Sequence, residues 1–180
     1  MKNEQQTIRD IMIPLTGFPC LKESSTVREA IQQLRSFCPI GSSAPCGFNE
    51  LMVVNDQDRL VGRVTQQGIL KVLFATLLDP AGIKPFEGRT LQYSDLSTLL
   101  NGVLIREGVN HLEASISSVI EKDIRVLPVS FDLIQAMSVM VMGEETVLPV
   151  EEQGVLCGVV KLAEIFYAIG DTLLSINHKL

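Results

Sequence analysis

Apolar and polar residues along the chain fall into one order of runs that occurs twice. Thr26-Val27-Arg28-Glu29 has the form of a helix-capping box, and Val27, Ala30, Ile31 and Leu34 follow at helical spacing. Leu51-Met52-Val53-Val54 reads as a buried strand, Asn55-Asp56-Gln57-Asp58 as a turn, and Leu60 to Val64 as a second strand. A helix is predicted from about Thr65 to Leu78. The order then returns. A helix beginning near Ser130 buries Leu133, Met137, Met140 and Val141, and strands follow at Thr146 to Val150 and Val155 to Val160 around a Glu151-Glu152-Gln153-Gly154 turn. A final helix runs from about Lys161 to Leu174. With a short strand before each capped helix, each copy reads strand, helix, strand, strand, helix.

The two copies align residue by residue. Ile8 matches Ile116 at a spacing of 108, and Leu21, Ser24, Val27, Ala30 and Leu34 match Leu127, Ser130, Leu133, Ala136 and Met140 at 106. Val54, Leu60, Gly62, Val64 and Ile69 match Val150, Leu156, Gly158, Val160 and Ile165 at 96. The first copy therefore carries about two extra residues near Pro14 to Cys20 and ten more between Ser36 and Glu50. The expected fold class is α/β of the α+β type, with a first repeat over 7–78, a helical insertion or linker over 79–113 and a second repeat over 114–176. Pro80, Gly82, Pro85 and Gly88 stop the preceding helix, and Ser94 to Leu100 reads as a helix start whose leucines need cover. A unit of about 60 residues buries little surface alone, so the copies are expected to pack on each other as a pseudo-twofold pair.

Composition narrows the function. The 180 residues are 46% hydrophobic and 20% charged, enough apolar material for a core. Fifteen Lys+Arg against 21 Asp+Glu give a net charge of −6, which argues against a general nucleic-acid or anionic-membrane surface. No run approaches the roughly 18 apolar residues of a membrane span, and the polar Met1 to Gln6 lacks a signal-peptide centre, so a cytoplasmic protein is expected. Cys20, Cys38, Cys46 and Cys157 form no Cys-x-x-Cys pair and His111 and His178 lie apart, so free thiols and no metal are expected.

The opening segment Asp10-Ile11-Met12-Ile13-Pro14 resembles the Val-Met-Thr-Pro of cystathionine-β-synthase (CBS) domains. The hairpin closings Gly62-Arg63-Val64-Thr65-Gln66-Gln67-Gly68-Ile69 and Gly158-Val159-Val160-Lys161-Leu162-Ala163-Glu164-Ile165 resemble that family's Gly-x-Val-Thr-x-x-Asp. The pattern is thus similar to a tandem CBS pair, a Bateman module, over 120 to 130 residues. The resemblance implies two clefts between the repeats that bind an adenosyl ligand (AMP, ADP, ATP or S-adenosylmethionine), a flat homodimer and a regulated partner. It carries Ile13, Pro14, Thr65, Gly68, Lys161 and Glu164 over as ligand-binding positions.

Physical chemistry gives those positions a logic. A glycine in the strand lets a ligand approach the backbone, a Thr hydroxyl and an acid one turn on can hold ribose, and a helix N-terminus favours phosphate. This chain departs from the pattern where it has Gly68 for the acid, Lys161 for the hydroxyl and Glu164 for the Asp. Thr65 reads first as a simple N-cap, and Lys161 as a phosphate contact, as a side chain that fills the cleft and pairs with Glu164, or, with Glu164, as part of a solvated first helical turn. The Ser36–Phe48 stretch, with Phe37 and Phe48 as anchors and Cys38/Cys46 as a conceivable redox pair, is either a partner-facing lid or a surface insertion. Met137, Met140 and Met142 suit core and dimer packing rather than a cofactor box. No Gly-x-x-x-x-Gly-Lys, His-x-x-x-His or Gly-x-Ser-x-Gly occurs, so the expectation is no enzyme and no catalytic residue. The expected function is a stand-alone sensor of an adenosyl ligand, with no cofactor required. The alternative is a ligand-free dimerisation and partner-docking module whose nucleotide sites have degenerated.

Overall fold

A computed structural model of the protein describes residues 6–37, 47–75, 102 and 105–177. The first repeat comprises α1 (Ile8–Ile11), β1 (Ile13–Pro14), β2 (Cys20–Lys22), α2 (Val27–Ser36), β3 (Glu50–Val54), β4 (Leu60–Thr65) and α3 (Gln66–Leu73). After the helical residues 105–111 (α4) come β5 (Leu127–Pro128), α5 (Leu133–Met142), β6 (Val147–Glu152), β7 (Val155–Lys161) and α6 (Leu162–Asn177). The Cys38/Cys46 pair, the residues past Ala75 in the expected 65–78 helix and most of the 79–113 insertion lie outside the described residues.

Local chemistry starts both long central helices in the same way. Glu29 N–H donates to Thr26 Oγ1 at 3.3 Å while Thr26 N–H donates to Glu29 at 2.7 Å. Asp132 and Gln135 make the same reciprocal pair at 2.8 and 3.1 Å. The second helix thus starts after Asp132 rather than near Ser130, because Phe131 N–H is held in a turn by Pro128 O at 3.0 Å. In the first hairpin, Asn55 Oδ1 accepts from Gln57 and Arg59 N–H at 2.9 and 3.0 Å.

Two sheets result. One has the order β2-β3-β4, the other β1-β7-β6-β5. The opening segment of each repeat leaves its own sheet and completes the other one. β1 pairs antiparallel with β7, Ile13 opposite Val159 and Pro14 opposite Gly158. Its counterpart Glu121 bridges to Arg63 on β4. Buried Ile8 accordingly sits in the core of the second repeat, against Leu127, Ala136 and Met140, while buried Ile116 sits in the first, against Val27, Ala30 and Leu51. Ile8 N–H donates to Phe131 O at 3.0 Å and Ile116 N–H to Ser25 O at 3.1 Å, so the exchange is reciprocal.

This crossing gives Gly62 and Gly158 their role. A Cβ at Gly158 would lie 2.5 Å from Ile13 O, and one at Gly62 would lie 2.6 Å from Ile120 Cγ2 and closer still to Glu121 O. Both glycines admit the other repeat's backbone, not a ligand as their motif suggested.

The ladders also revise the alignment of the repeats. Val53 faces Gly62 and Val150 faces Gly158, so Val53, not Val54, is the counterpart of Val150. The spacing between β3 and β6 is therefore 97, leaving nine extra residues before β3 and one in the first hairpin turn, instead of ten before β3. Packing agrees. Val53 belongs to the first repeat's core, whereas Val54 turns to the layer between the sheets. That third layer joins Phe18, Met52 and Val54 to Val147, Leu156 and Val159, and it binds the repeats together. Met140 and Met137 pack in the second core, but Met142 is 85% exposed and contributes nothing there.

Candidate functional site

Beside the inter-sheet layer opens a cavity of about 800 Å³ lined by both repeats. Its walls are related by the pseudo-twofold. The first repeat supplies Asn49, Glu50, Thr65, Gln66 and Gln67, and the second supplies their counterparts Thr146, Val147, Lys161, Leu162 and Ala163. Each hairpin's last strand residue, Thr65 or Lys161, opens the following helix, so the starts of α3 and α6 meet in one space. Helix starts carry partial positive charge and favour an anion. Phe48, Phe166 and Tyr167 add flat apolar surface.

Thr65 is an N-cap in fact. Its Oγ1 accepts from Gly68 N–H at 3.0 Å. Gly68 therefore takes part through its backbone, and a Cβ there would meet Thr65 Oγ1 at 3.3 Å. Lys161 does not pair with Glu164. Its Nζ donates to Gly47 O and lies 4.0 Å from the centre of the Phe48 ring, a cation–π contact across the repeats. Phe48 is wedged in turn, 4.6 Å from Phe18 and 5.8 Å from Phe37 between ring centres. The end of the 36–48 stretch is thus a packed anchor, as its aromatic residues suggested.

Of the six ligand-binding positions expected from sequence, the cavity brings together Thr65 and Lys161. Gly68 and Glu164 lie on the first turns of α3 and α6 and do not line it. Ile13 and Pro14 are occupied in the ladder with Val159 and Gly158, and Ile13 packs into the inter-sheet layer. The next residue, Leu15, lines a second cavity of about 370 Å³ with Cys20, Leu21 and Lys22. Burial pushes the Cys20 thiol up to about 11.

Sequence reasoning missed the one acid that lines the cavity among the described residues. Glu50 is 8% exposed and shares the face of β3 that carries Met52 and Val54 toward the other sheet. Arg63 holds it at 3.5 Å while binding Glu121 and Glu145 at 2.9 Å each. Burial raises the Glu50 pKa above the usual range; Arg63 opposes that rise, and Glu145 and Glu121 add to it. Burial works against the Arg63 charge, but hydrogen bonds to Glu145 and Glu121 and the attraction of Glu50 outweigh it and hold its proton more tightly than usual. The one available signal was an acid opening an otherwise apolar strand, Glu50-Leu51-Met52-Val53-Val54.

The corner built by these four residues has an apolar twin. Glu50, Arg63, Glu121 and Glu145 correspond through the repeat to Val147, Val159, Ile13 and Phe48, all packed in the inter-sheet layer. One end of the repeat interface is ionic and the other is apolar.

Residues 8–75 match the CBS domain family. No curated protein matches the sequence. Among solved structures, a CBS-domain protein of unknown function from Bacillus anthracis superposes with a TM-score of 0.63 at 16% identity, over 95% of this chain and 99% of that one. The structure of CBSX2 in complex with AMP gives 0.60 at 18% identity, over 93% and 98% of the two chains. The cytosolic domain of the Mg²⁺ channel MgtE in complex with ATP gives 0.58 at 17% identity, over 91% of this chain and 48% of that one. No described helix is long and apolar enough to cross a membrane, and no three described His, Cys, Asp or Glu residues are grouped to hold a metal ion.

Proposed function

We propose, from the premise that the chain has the fold of a tandem CBS pair, that it is a regulatory module holding an adenosyl ligand between its repeats. The ligand classes are AMP, ADP, ATP and S-adenosylmethionine. The observation that carries this reading is the cavity of about 800 Å³ in which both repeats present a helix start, with Thr65 on one wall and Lys161 on the other. An anionic group would meet Lys161 and the first turn of α6, and Thr65 with Gln66 and Gln67 supplies donors and acceptors for sugar or base. The AMP and ATP complexes of similarly folded proteins support the choice of ligand. Because the ligand would touch both repeats, it favours the arrangement that brings their walls together, and that shift is what a partner reads. Ile13, Pro14, Gly68 and Glu164 would act behind the cavity, by shaping its walls and helix starts, rather than by contact. The module works without catalysis, in the cytoplasm. It works as a homodimer joined through exposed apolar side chains of α3 and α6 such as Leu70, Phe166, Leu173 and Leu174.

A second reading has its own observation. Lys161 already spends its charge on Gly47 O and the Phe48 ring, so the cavity's cation has a protein partner without any ligand. That favours a dimerisation and docking module with no bound nucleotide. Thermal unfolding with AMP, ADP, ATP and S-adenosylmethionine separates the two. A ligand at 100 times its Kd adds about 2.7 kcal/mol, a rise of about 5–10 °C for a chain of this size. A rise for one ligand that disappears in Lys161→Met upholds the sensor. A flat response to all four upholds the docking module.

A further inference from the structure

We propose that Glu50 sets the ligand selectivity of the inter-repeat cavity, admitting a ligand that turns an N–H donor to it and rejecting polyphosphates. The inference rests on the reading of the cavity as an adenosyl site and adds which members of that class it accepts. Three observations carry it. Glu50 is a cavity-lining carboxylate that is only 8% exposed. Its guanidinium partner is largely committed elsewhere, because Arg63 binds Glu121 and Glu145 at 2.9 Å and Glu50 at 3.5 Å. Three carboxylates around one guanidinium leave that end of the cavity negative, while the cavity's other charged residue is Lys161. One anionic group can therefore be placed at Lys161. Two or three phosphates bring further charge toward the start of α3, where Glu50 lies opposite Thr65 in the ladder and its full negative charge outweighs the partial positive charge of the helix start. An amino group in the same place meets an acceptor with lone pairs to spare. Val147, the counterpart of Glu50 on the second wall, brings no charge, so the selectivity is a property of one wall alone.

The test is titration calorimetry of adenosine, AMP and ATP with wild type, Glu50→Gln and Glu121→Gln. Wild type should bind adenosine or AMP more tightly than ATP by about tenfold or more, and Glu50→Gln should remove about tenfold of that preference. Glu121→Gln removes a carboxylate of the same cluster that does not line the cavity, so it should leave most of the preference in place. Glu50→Val, which copies Val147, replaces Glu50→Gln if circular dichroism shows that the latter is unfolded. A wild type that prefers ATP, or a ligand preference equal within about twofold in wild type and Glu50→Gln, overturns the role of Glu50 and leaves the cavity reading standing. A wild type that binds none of the three, and not S-adenosylmethionine in the same titration, overturns the cavity reading itself, and this inference with it.

Discussion

Replacing Gly62 or Gly158 by alanine tests whether these glycines serve the crossing of the two repeats. A Cβ at Gly62 would lie 2.6 Å from Ile120 Cγ2 and 3.0 Å from the Glu121 carbonyl carbon, and one at Gly158 would lie 2.5 Å from Ile13 O. In both cases the obstacle is backbone, which cannot swing aside as the end of a side chain could. Forcing a methyl into such a contact costs about 1–3 kcal/mol. Displacing the crossing segment also weakens ladder bonds, which at Gly62 are Arg63 N–H to Glu121 O at 3.0 Å and Glu121 N–H to Arg63 O at 2.9 Å. Each is worth about 1 kcal/mol net. Against these stands a gain of about 0.4–1 kcal/mol from a stiffer unfolded chain. The balance is a loss of about 2–4 kcal/mol, or a fall in Tm of about 5–15 °C for each variant. Urea and thermal unfolding followed by circular dichroism would measure it. Gly170→Ala is the control, since a Cβ there meets nothing within 4 Å and α6 gains helix propensity; it should be neutral or stabilising by up to about 1 kcal/mol. Gly62→Ala and Gly158→Ala melting within about 1 °C of wild type would refute the reasoning and return both glycines to ligand contact.

Further outcomes follow from the ionic corner, the helix cap and the thiols. Arg63→Met leaves Glu50, Glu121 and Glu145 with no shared cation and should cost about 3–5 kcal/mol in urea unfolding at neutral pH. Glu50 has a raised pKa in the fold, so the folded chain binds the extra proton and its stability falls as pH rises from the ordinary value of 4.5 through the raised one. Glu50→Gln removes that fall, so its stability relative to wild type should rise over the same span in unfolding measured at a series of pH values. Thr65→Ala removes the acceptor for Gly68 N–H and should cost about 1 kcal/mol with no ligand present. Burial holds the Cys20 thiol at about 11, so at pH 8 iodoacetamide followed by peptide mapping should find Cys20 unmodified until denaturant is added.

Much of the fold could be read from the sequence because burial repeats with a recognisable period. The capping box at Thr26 and the helical spacing of Val27, Ala30 and Leu34 located the start of α2. The second helix was placed two residues early, although the spacing of 106 that pairs Val27 with Leu133 also pairs the cap Thr26 with Asp132, the residue with Gln135 three positions on. The one-residue error between repeats has a different origin. β3 is buried on both faces, so Val53 and Val54 are both apolar and period-two alternation carries no signal; only the ladder tells them apart. The exchange of opening segments is illegible for a similar reason, since nothing local in Ile13-Pro14 says which sheet edge a two-residue strand joins. At the site, Thr65 and Lys161 were legible because helix starts leave a motif. Glu50 was not, because its meaning lies in Arg63 and in carboxylates 71 and 95 residues away.

The asymmetry of the two corners explains how a duplicated sequence specifies one pairing. The first repeat brings Arg63 and Glu50 to one corner, and the second repeat answers with Glu121 and Glu145. The second repeat brings Val159 and Val147 to the other corner, where the first answers with Ile13 and Phe48. Two first repeats meeting in the same geometry would set Arg63 and Glu50 against Ile13 and Phe48, burying charge against apolar side chains. Two second repeats would set Glu121 and Glu145 against Val159 and Val147 with no cation to balance them. Both mismatches cost several kcal/mol for each buried charge, far more than one surface ion pair contributes. Only first-with-second satisfies both corners. The ionic corner therefore directs each repeat to its unlike neighbour, and it also leaves Glu50 at the wall of the cavity that this pairing creates.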